Sequence, residues 1–319
     1  MKNILITGIS GQDGIFLTSK LLSSQKLNIY GVSRSSKNLC LKKINSINKI
    51  STNNLNIINV DLNNKEAVLK FINDVNPNII FNLSGPSSVY DSFTDNEISK
   101  NTIVNIFNNL VEASLTLKKF PKFFQASSSE MYGLNQNEIL NEEDTFLPNS
   151  PYAEAKLTIH KLIKDNYTQK GIEIKSGIMF NHESEFRNEN YLFMKIINYA
   201  LNAKASNKKL EIGSFEIVRD WSFAGDIADG ILNLTLEGKD IDYCIGSGEG
   251  NSIKELVNIV FNYFNLDYQD YVQENTKILR KNDPIKRISD PSKLKKELSW
   301  SPKLNFEELV ERCISRKFS

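Results

Sequence analysis

Cysteine is scarce in these 319 residues: Cys40, Cys244 and Cys313 stand far apart and are odd in number. That argues against a disulfide framework and for a reducing compartment. There are only two histidines and no CxxC, which leaves little material for a transition-metal site. Neither sign of charge dominates. With a net charge of +1 no global field favours nucleic acid or an anionic membrane, and any anion site must be local. No run approaches the roughly 20 apolar residues of a membrane span. The opening NILITGISG is broken by Gly8 too soon for a signal peptide. Repeats and low-complexity linkers are absent. What remains, 40% hydrophobic and 24% charged, fits a cytoplasmic globular protein with core enough for one large domain or two smaller ones.

Short apolar runs at 3–8, 28–34, 55–62, 78–85, 122–128 and 172–180 read as strands. Between them GIFLTSKLLSSQ, KEAVLKFINDV, NTIVNIFNNLVEASLTL and PYAEAKLTIHKLIKDNYTQK repeat apolar residues every three to four positions, as helices do. Strands alternating with helices predict a parallel sheet covered on both faces. After 181 the pattern loosens, with short strands expected near 209–213 and 241–246. Helices are expected near 189–205, 224–236, 253–264 and 305–316.

TGISGQDG, at 7–14, follows the first strand and opens the first helix, with Gly8, Gly11 and Gly14 spaced three apart. Glycines there let the backbone approach a pyrophosphate, and the helix N-terminus supplies free N–H groups and partial positive charge. A plain glycine-rich turn would look the same in isolation, but here strand, helix and second strand follow at the required distances. The second strand ends in GVSRSS, where an NAD-selective site would carry Asp or Glu. A guanidinium among hydroxyls suits a 2′-phosphate, so Arg34 favours NADP over NAD unless it is an ordinary surface arginine. Asp61 could approach the adenine edge.

SPYAEAK puts Tyr152 and Lys156 one turn apart on a helix face. An ammonium beside a phenol is expected to lower the phenol from about 10 and make it a usable acid or base. Tyr191 and Lys195 repeat the spacing, but without a strand end before them. Just upstream of the first pair lies QASSSEMYG, at 125–133, where a buried strand breaks into hydroxyls and a carboxylate. That stretch is either a polar turn or part of a site.

TGxxGxxG, the serine-rich strand end and YxxxK, in this order, resemble the extended short-chain dehydrogenase/reductases. More narrowly, TGISGQDG, QASSSEMYG, SPYAEAK, FNHES, RDW and DPSKLKKELSW resemble the GDP-mannose 4,6-dehydratase family through nearly the whole chain. GQDG and FNHES are the specific matches. Two departures stand out: the family's FNHESPRRGE reads FNHESEFRNE here, and the region around 267–285 looks trimmed.

The resemblance implies a Rossmann-type doubly wound α/β sheet over 1–180 that binds NADP. A smaller C-terminal α/β cap over 181–319 would bind the nucleotide sugar, with some of its segments returning to the first domain. Ser128, usually Thr in the family, and Glu130 would act on the sugar with Tyr152 and Lys156. Cofactor contacts would come from Ser10, Gln12 and Asp13 in the turn, Leu62 beside Asp61, and Leu83, Gly85 and Ser87 after the fourth strand. His182 and Arg187 would touch its nicotinamide half. Ser87 also counts to the substrate side, with Asn181, Lys195, Arg219 and Arg280 around a diphosphate. Each of these cations has a plainer reading as solvent-facing, or for Arg219 as a partner of Asp220. Trp221 and Trp300 are expected in the core of the cap, and His160 is expected to be a packed or surface histidine rather than a catalytic one. Family assemblies imply a homo-oligomer, dimer or tetramer, and no metal. A 4-ketoreductase or epimerase of the same fold shares the Ser-Ser-Glu strand end, so GQDG with FNHES is what favours the dehydratase. A catalytically retired dinucleotide-binding regulator would have no need of the Tyr152–Lys156 pair.

Overall fold

Seven parallel strands carry the molecule, which is described here by a computed structural model covering residues 1–24, 26–86, 92–93, 96–279 and 283–317. They are β1 (Lys2–Thr7), β2 (Leu27–Val32), β3 (Leu55–Ile58), β4 (Ile79–Asn82), β5 (Lys122–Ala126), β6 (Ile174–Met179) and β7 (Asp242–Ile245). Their order across the sheet is β7-β6-β5-β4-β1-β2-β3. Every neighbouring pair is parallel. Alternate side chains go to opposite faces of a strand, and here both faces are apolar. Ile4, Ile6, Phe81 and Phe124 enter one core, while Leu5, Ile80 and Phe123 enter the other. This two-sided burial explains why the strands read as continuous hydrophobic runs.

The helices are α1 (Gln12–Leu22), α2 (Lys37–Ile47), α3 (Lys65–Val75), α4 (Asn96–Leu115), α5 (Pro151–Lys161), α6 (Leu192–Leu201), α7 (Ala224–Glu237), α8 (Ile253–Tyr263), α9 (Ser292–Leu298) and α10 (Phe306–Ser315). Residues of α1, α6, α7, α8 and α10 fill the first core, and α3, α4 and α5 the second. The sequence pattern predicts no helix between 34 and 55, yet α2 is there. Only Cys40 and Ile44 of α2 are buried, too short an apolar stripe to show as a period, and Ser36 caps its start by accepting from Leu39 N–H.

Short strands assemble the remainder. Lys286–Ser289, not anticipated from the sequence, pairs in parallel with both Val218–Arg219 and Ile139–Leu140. Val218–Arg219 also pairs antiparallel with Asn251–Ser252. Lys286–Ser289 therefore joins late-chain residues to the segment that leaves β5. Because the large sheet is parallel, all its C-terminal strand ends share one edge. The order in which strands are added reverses between β1 and β4, with β2 and β3 to one side and β4 onward to the other, which opens a crevice there.

Candidate active site

The turn after β1 is shaped by steric necessity. Gly8 has φ +70°, and a Cβ on it would sit 2.7 Å from the Leu83 carbonyl oxygen. A Cβ on Gly14 would sit 2.6 Å from the Gly8 oxygen, so α1 packs against the turn only with glycine there. Gly11 heads α1 with no side-chain cap, which leaves first-turn N–H groups for another acceptor. Gln12 donates to the His182 carbonyl at 2.8 Å and accepts from the Ser184 hydroxyl at 2.9 Å. Asp13 lies 3.0 Å from His182 Nε2. Burial alone would push His182 down, but the charge and hydrogen bond of Asp13 outweigh it and hold the imidazole above its ordinary value.

Further along the same edge, Arg34 is exposed just past β2. Ser33 Oγ accepts from Ser35 N–H at 2.9 Å, and Ser36 caps α2. Past β3, Asp61 is exposed and accepts from Asn63 N–H, while Leu62 is buried. Ser10 is half-buried in the glycine turn.

A cavity of about 390 Å³ opens beyond β4, β5 and β6. Asp13, Leu83, Gly85, Ser128, Glu130, Tyr152, Lys156, Asn181, His182, Arg187, Lys195 and Arg219 all line it, although they come from distant parts of the chain. Ser87 and Arg280 lie outside the described residues.

Local sequence explains the central group. Ser150 caps α5 by accepting from Ala153 N–H at 3.1 Å and Pro151 starts the helix, so Tyr152 falls in its first turn and Lys156 one turn on. Ser128 caps the short 3₁₀ turn Ser129–Tyr132, accepting from Glu130 N–H at 3.2 Å. The Ser128 hydroxyl also hydrogen-bonds the Tyr152 phenol. Behind them Tyr132 is core: its hydroxyl donates to Asn141 O at 2.6 Å and its ring lies against Phe146. The polar stretch after β5 is thus both turn and cavity wall.

Protonation differs from the expectation for the pair. Burial pushes Tyr152 up to about 12; the Ser128 hydrogen bond opposes this and the charge of Glu130 adds to it. The Lys156 ammonium does not bring the phenol below its ordinary value. Its ammonium donates to the Ala126 carbonyl at 2.8 Å and stands 5.6 Å from the centre of the tyrosine ring. Burial pulls Lys156 itself down to about 8.

The cations are distributed unevenly. Arg219 is bound not to Asp220 but to Asp283, at 2.8 Å, and donates to the Val218, Pro284 and Ile285 carbonyls. Asp220 accepts instead from Ser247, Gly248 and Ser289. Lys195 is exposed on α6, with no acidic partner among the described residues. Arg187 pairs with buried Glu183 at 3.1 Å and lies 3.8 Å over the Tyr191 ring, so the second Tyr–Lys pair lines the same cavity. Asn181 O accepts from Ser222 N–H. Trp221 is buried and stacked on Phe306, and also forms part of the wall. Trp300 is core, and buried His160 faces Asp242 away from the cavity.

The sequence model of a family described as GDP-mannose 4,6 dehydratase matches residues 5–313. The chain belongs to the GDP-mannose 4,6-dehydratase family. That family comprises hydro-lyases, and this chain is an enzyme of that class. GDP-mannose 4,6 dehydratase 2 of Arabidopsis thaliana is 32% identical over 322 residues, covering 98% of this chain and 86% of its own. The GDP-mannose 4,6-dehydratase of Vibrio cholerae is 28% identical, covering 98% and 93%. Among solved structures, the dTDP-glucose 4,6-dehydratase of Streptomyces venezuelae with NAD bound superimposes with TM-score 0.86 at 18% identity, covering 98% of this chain and 96% of that one. The UDP-glucose 4-epimerase of Thermotoga maritima superimposes with TM-score 0.85 at 22% identity, covering 99% of each. These two share the Rossmann-type fold.

The specific family motifs touch each other here: GQDG grips FNHES through Gln12, Asp13, His182 and Ser184. Sequence reasoning missed the cavity residue Asp283, and it missed Arg287, whose Nη1 lies 3.0 Å from Glu130 Oε1. IKRIS carries no motif, and nothing local distinguishes that arginine from a surface one. Among the described residues no helix is long and apolar enough to cross a membrane.

Proposed function

We propose that the chain converts GDP-mannose to GDP-4-keto-6-deoxymannose around a bound NADP, with residues 1–180 mainly holding the cofactor and 181–319 mainly the sugar nucleotide. The observation that carries this is the meeting of a Ser128-bonded Tyr152 phenol and the Glu130 carboxylate in one cavity. The uncapped start of α1 and the tight glycine turn fit a pyrophosphate, and Arg34 beside the start of α2 fits a 2′-phosphate. The cofactor would supply the hydride acceptor at C4 and return that hydride at C6, ending unchanged.

Tyr152 takes the proton from O4, and Ser128 holds that oxygen. Lys156, charged below about pH 8, provides the positive potential that a phenol raised to about 12 needs in order to act near neutrality. The new ketone acidifies C5–H, so the Glu130 carboxylate can remove that proton. Glu130 then gives it to the C6 hydroxyl, which leaves as water. As the hydride returns to C6, the proton that Tyr152 took from O4 goes to C5, which leaves Tyr152 and Glu130 as they began. Lys195 and Asn181 face the diphosphate; Arg219 contributes charge from its pair with Asp283.

Incubation with GDP-mannose and NADP⁺ should yield, by mass spectrometry, a product lighter by one water with no net consumption of reduced cofactor. Stoichiometric cofactor oxidation on a 4-keto sugar, without dehydration of GDP-mannose, would assign the chain to the reductases instead. Cofactor choice rests on Arg34. Arg34→Asp should weaken NADP by about tenfold or more, the loss of a charge-assisted contact, and spare NAD. Equal wild-type affinity for the two would refute that part.

A further inference from the structure

Glu130 does not stand alone at the end of β5. Arg287, on the strand Lys286–Ser289, is 1% exposed and brings Nη1 to 3.0 Å from Glu130 Oε1. Its Nη2 donates to the Gly133 carbonyl at 3.2 Å, at the far end of the turn that carries Glu130. The guanidinium therefore spans the turn Ser129–Tyr132 from outside and fixes where the carboxylate points. Nε and Nη1 make no other hydrogen bond among the described residues, so the ion pair is the main compensation for burying this cation. Tyr152 faces Glu130 from α5, and Arg187, Tyr191 and the charge of Glu130 all act on its phenol.

We infer that Arg287 is a positioning residue for the dehydration. It holds Glu130 ionised and aimed while the C5 proton is taken, and makes Glu130 a readier donor when that proton passes to the C6 hydroxyl. The inference rests on the reading of Glu130 as the base at C5. The step balances without any further reactant. The C5–H pair moves into the enolate at C4–C5, and Glu130 carries the proton. As the C6–O bond breaks, the oxygen takes its pair and that proton away as water and C5=C6 forms. Arg287 stays protonated throughout. A buried cation at this distance favours the carboxylate over the acid, which weakens Glu130 as a base where the ketone has already acidified C5, and strengthens it as an acid where hydroxide is a poor leaving group.

Two measurements test this. Arg287→Met removes the charge at similar volume, and Arg287→Lys keeps it. The acidic limb of kcat against pH should move up by about one pH unit or more in Arg287→Met and stay near its wild-type place in Arg287→Lys. A limb unmoved in both, with activity lost evenly at all pH, would reduce Arg287 to a staple between strand and turn and overturn the inference. The second measurement needs no turnover and no substitution at 287. In wild-type protein carrying ¹³C-carboxyl glutamate, the resonance missing from Glu130→Gln should titrate below the free glutamate value of about 4.3; titration at or above it overturns the inference. If the wild type does not dehydrate GDP-mannose, the proposed reaction fails, while this titration still decides whether Arg287 controls Glu130.

Discussion

Glu130→Gln should oxidise its sugar at C4 and stop there, losing dehydration by about 10²–10⁴-fold, the usual cost of a missing general base. The amide keeps the shape of the side chain and a hydrogen bond to Arg287 but cannot take the C5 proton. Tyr152→Phe should halt one step earlier, because the phenol accepts the O4 proton and receives the Ser128 hydrogen bond. The two variants are separable in a quenched single turnover with GDP-mannose deuterated at C5, in ordinary water. Borodeuteride reduction after the quench places label on C4 only where a ketone had formed. Glu130→Gln should trap at C4 and retain its C5 deuterium; Tyr152→Phe should trap nothing and retain it too. Loss of C5 deuterium from Glu130→Gln at the wild-type rate would remove Glu130 from the role.

The second large effect is on stability. Lys156→Met should abolish turnover yet raise the unfolding free energy at pH 7 by about 1–3 kcal/mol, the upper end being the cost of a folded value near 8 at about 1.4 kcal/mol per pH unit. The sign follows from proton counting. Lys156 falls from about 10.4 in the unfolded chain to about 8 in the fold, so between those values the unfolded state binds more protons and stability rises with pH. The penalty is fully present below about pH 8 and gone above about 10.4. Loss of the ammonium leaves the Ala126 carbonyl still accepting from Gln125 Nε2 at 2.8 Å. Urea unfolding at pH 7 and 9.5 should therefore show the gap between variant and wild type shrinking. A gap that does not change with pH would mean that burial of the charge is not what the variant relieves.

Both effects depend on residues whose type and spacing are visible in the chain, and on surroundings that are not. The sheet strands, the α1 turn and the start of α5 could be read from sequence because their causes are local. Apolar runs mark the doubly buried strands, glycine marks the turn where a Cβ would meet backbone, and Ser150–Pro151 marks a helix start. The family motifs added Ser128, Glu130, Asn181 and His182, which do line one cavity. Elements with weak periods, α2 and Lys286–Ser289, were not legible, since one buries only two side chains and the other consists of alternating residues of mixed polarity. Electrostatics were the least legible, because a charge is set by what burial removes and what long-range pairing restores. Tyr152 and Lys156 announce a phenol and an ammonium; only the packed fold decides that burial raises the phenol, against expectation, and lowers the ammonium. Arg219 and Arg287 look alike in the sequence and stand side by side in register on two short parallel strands, yet their different neighbours pair one with Asp283 and the other with Glu130.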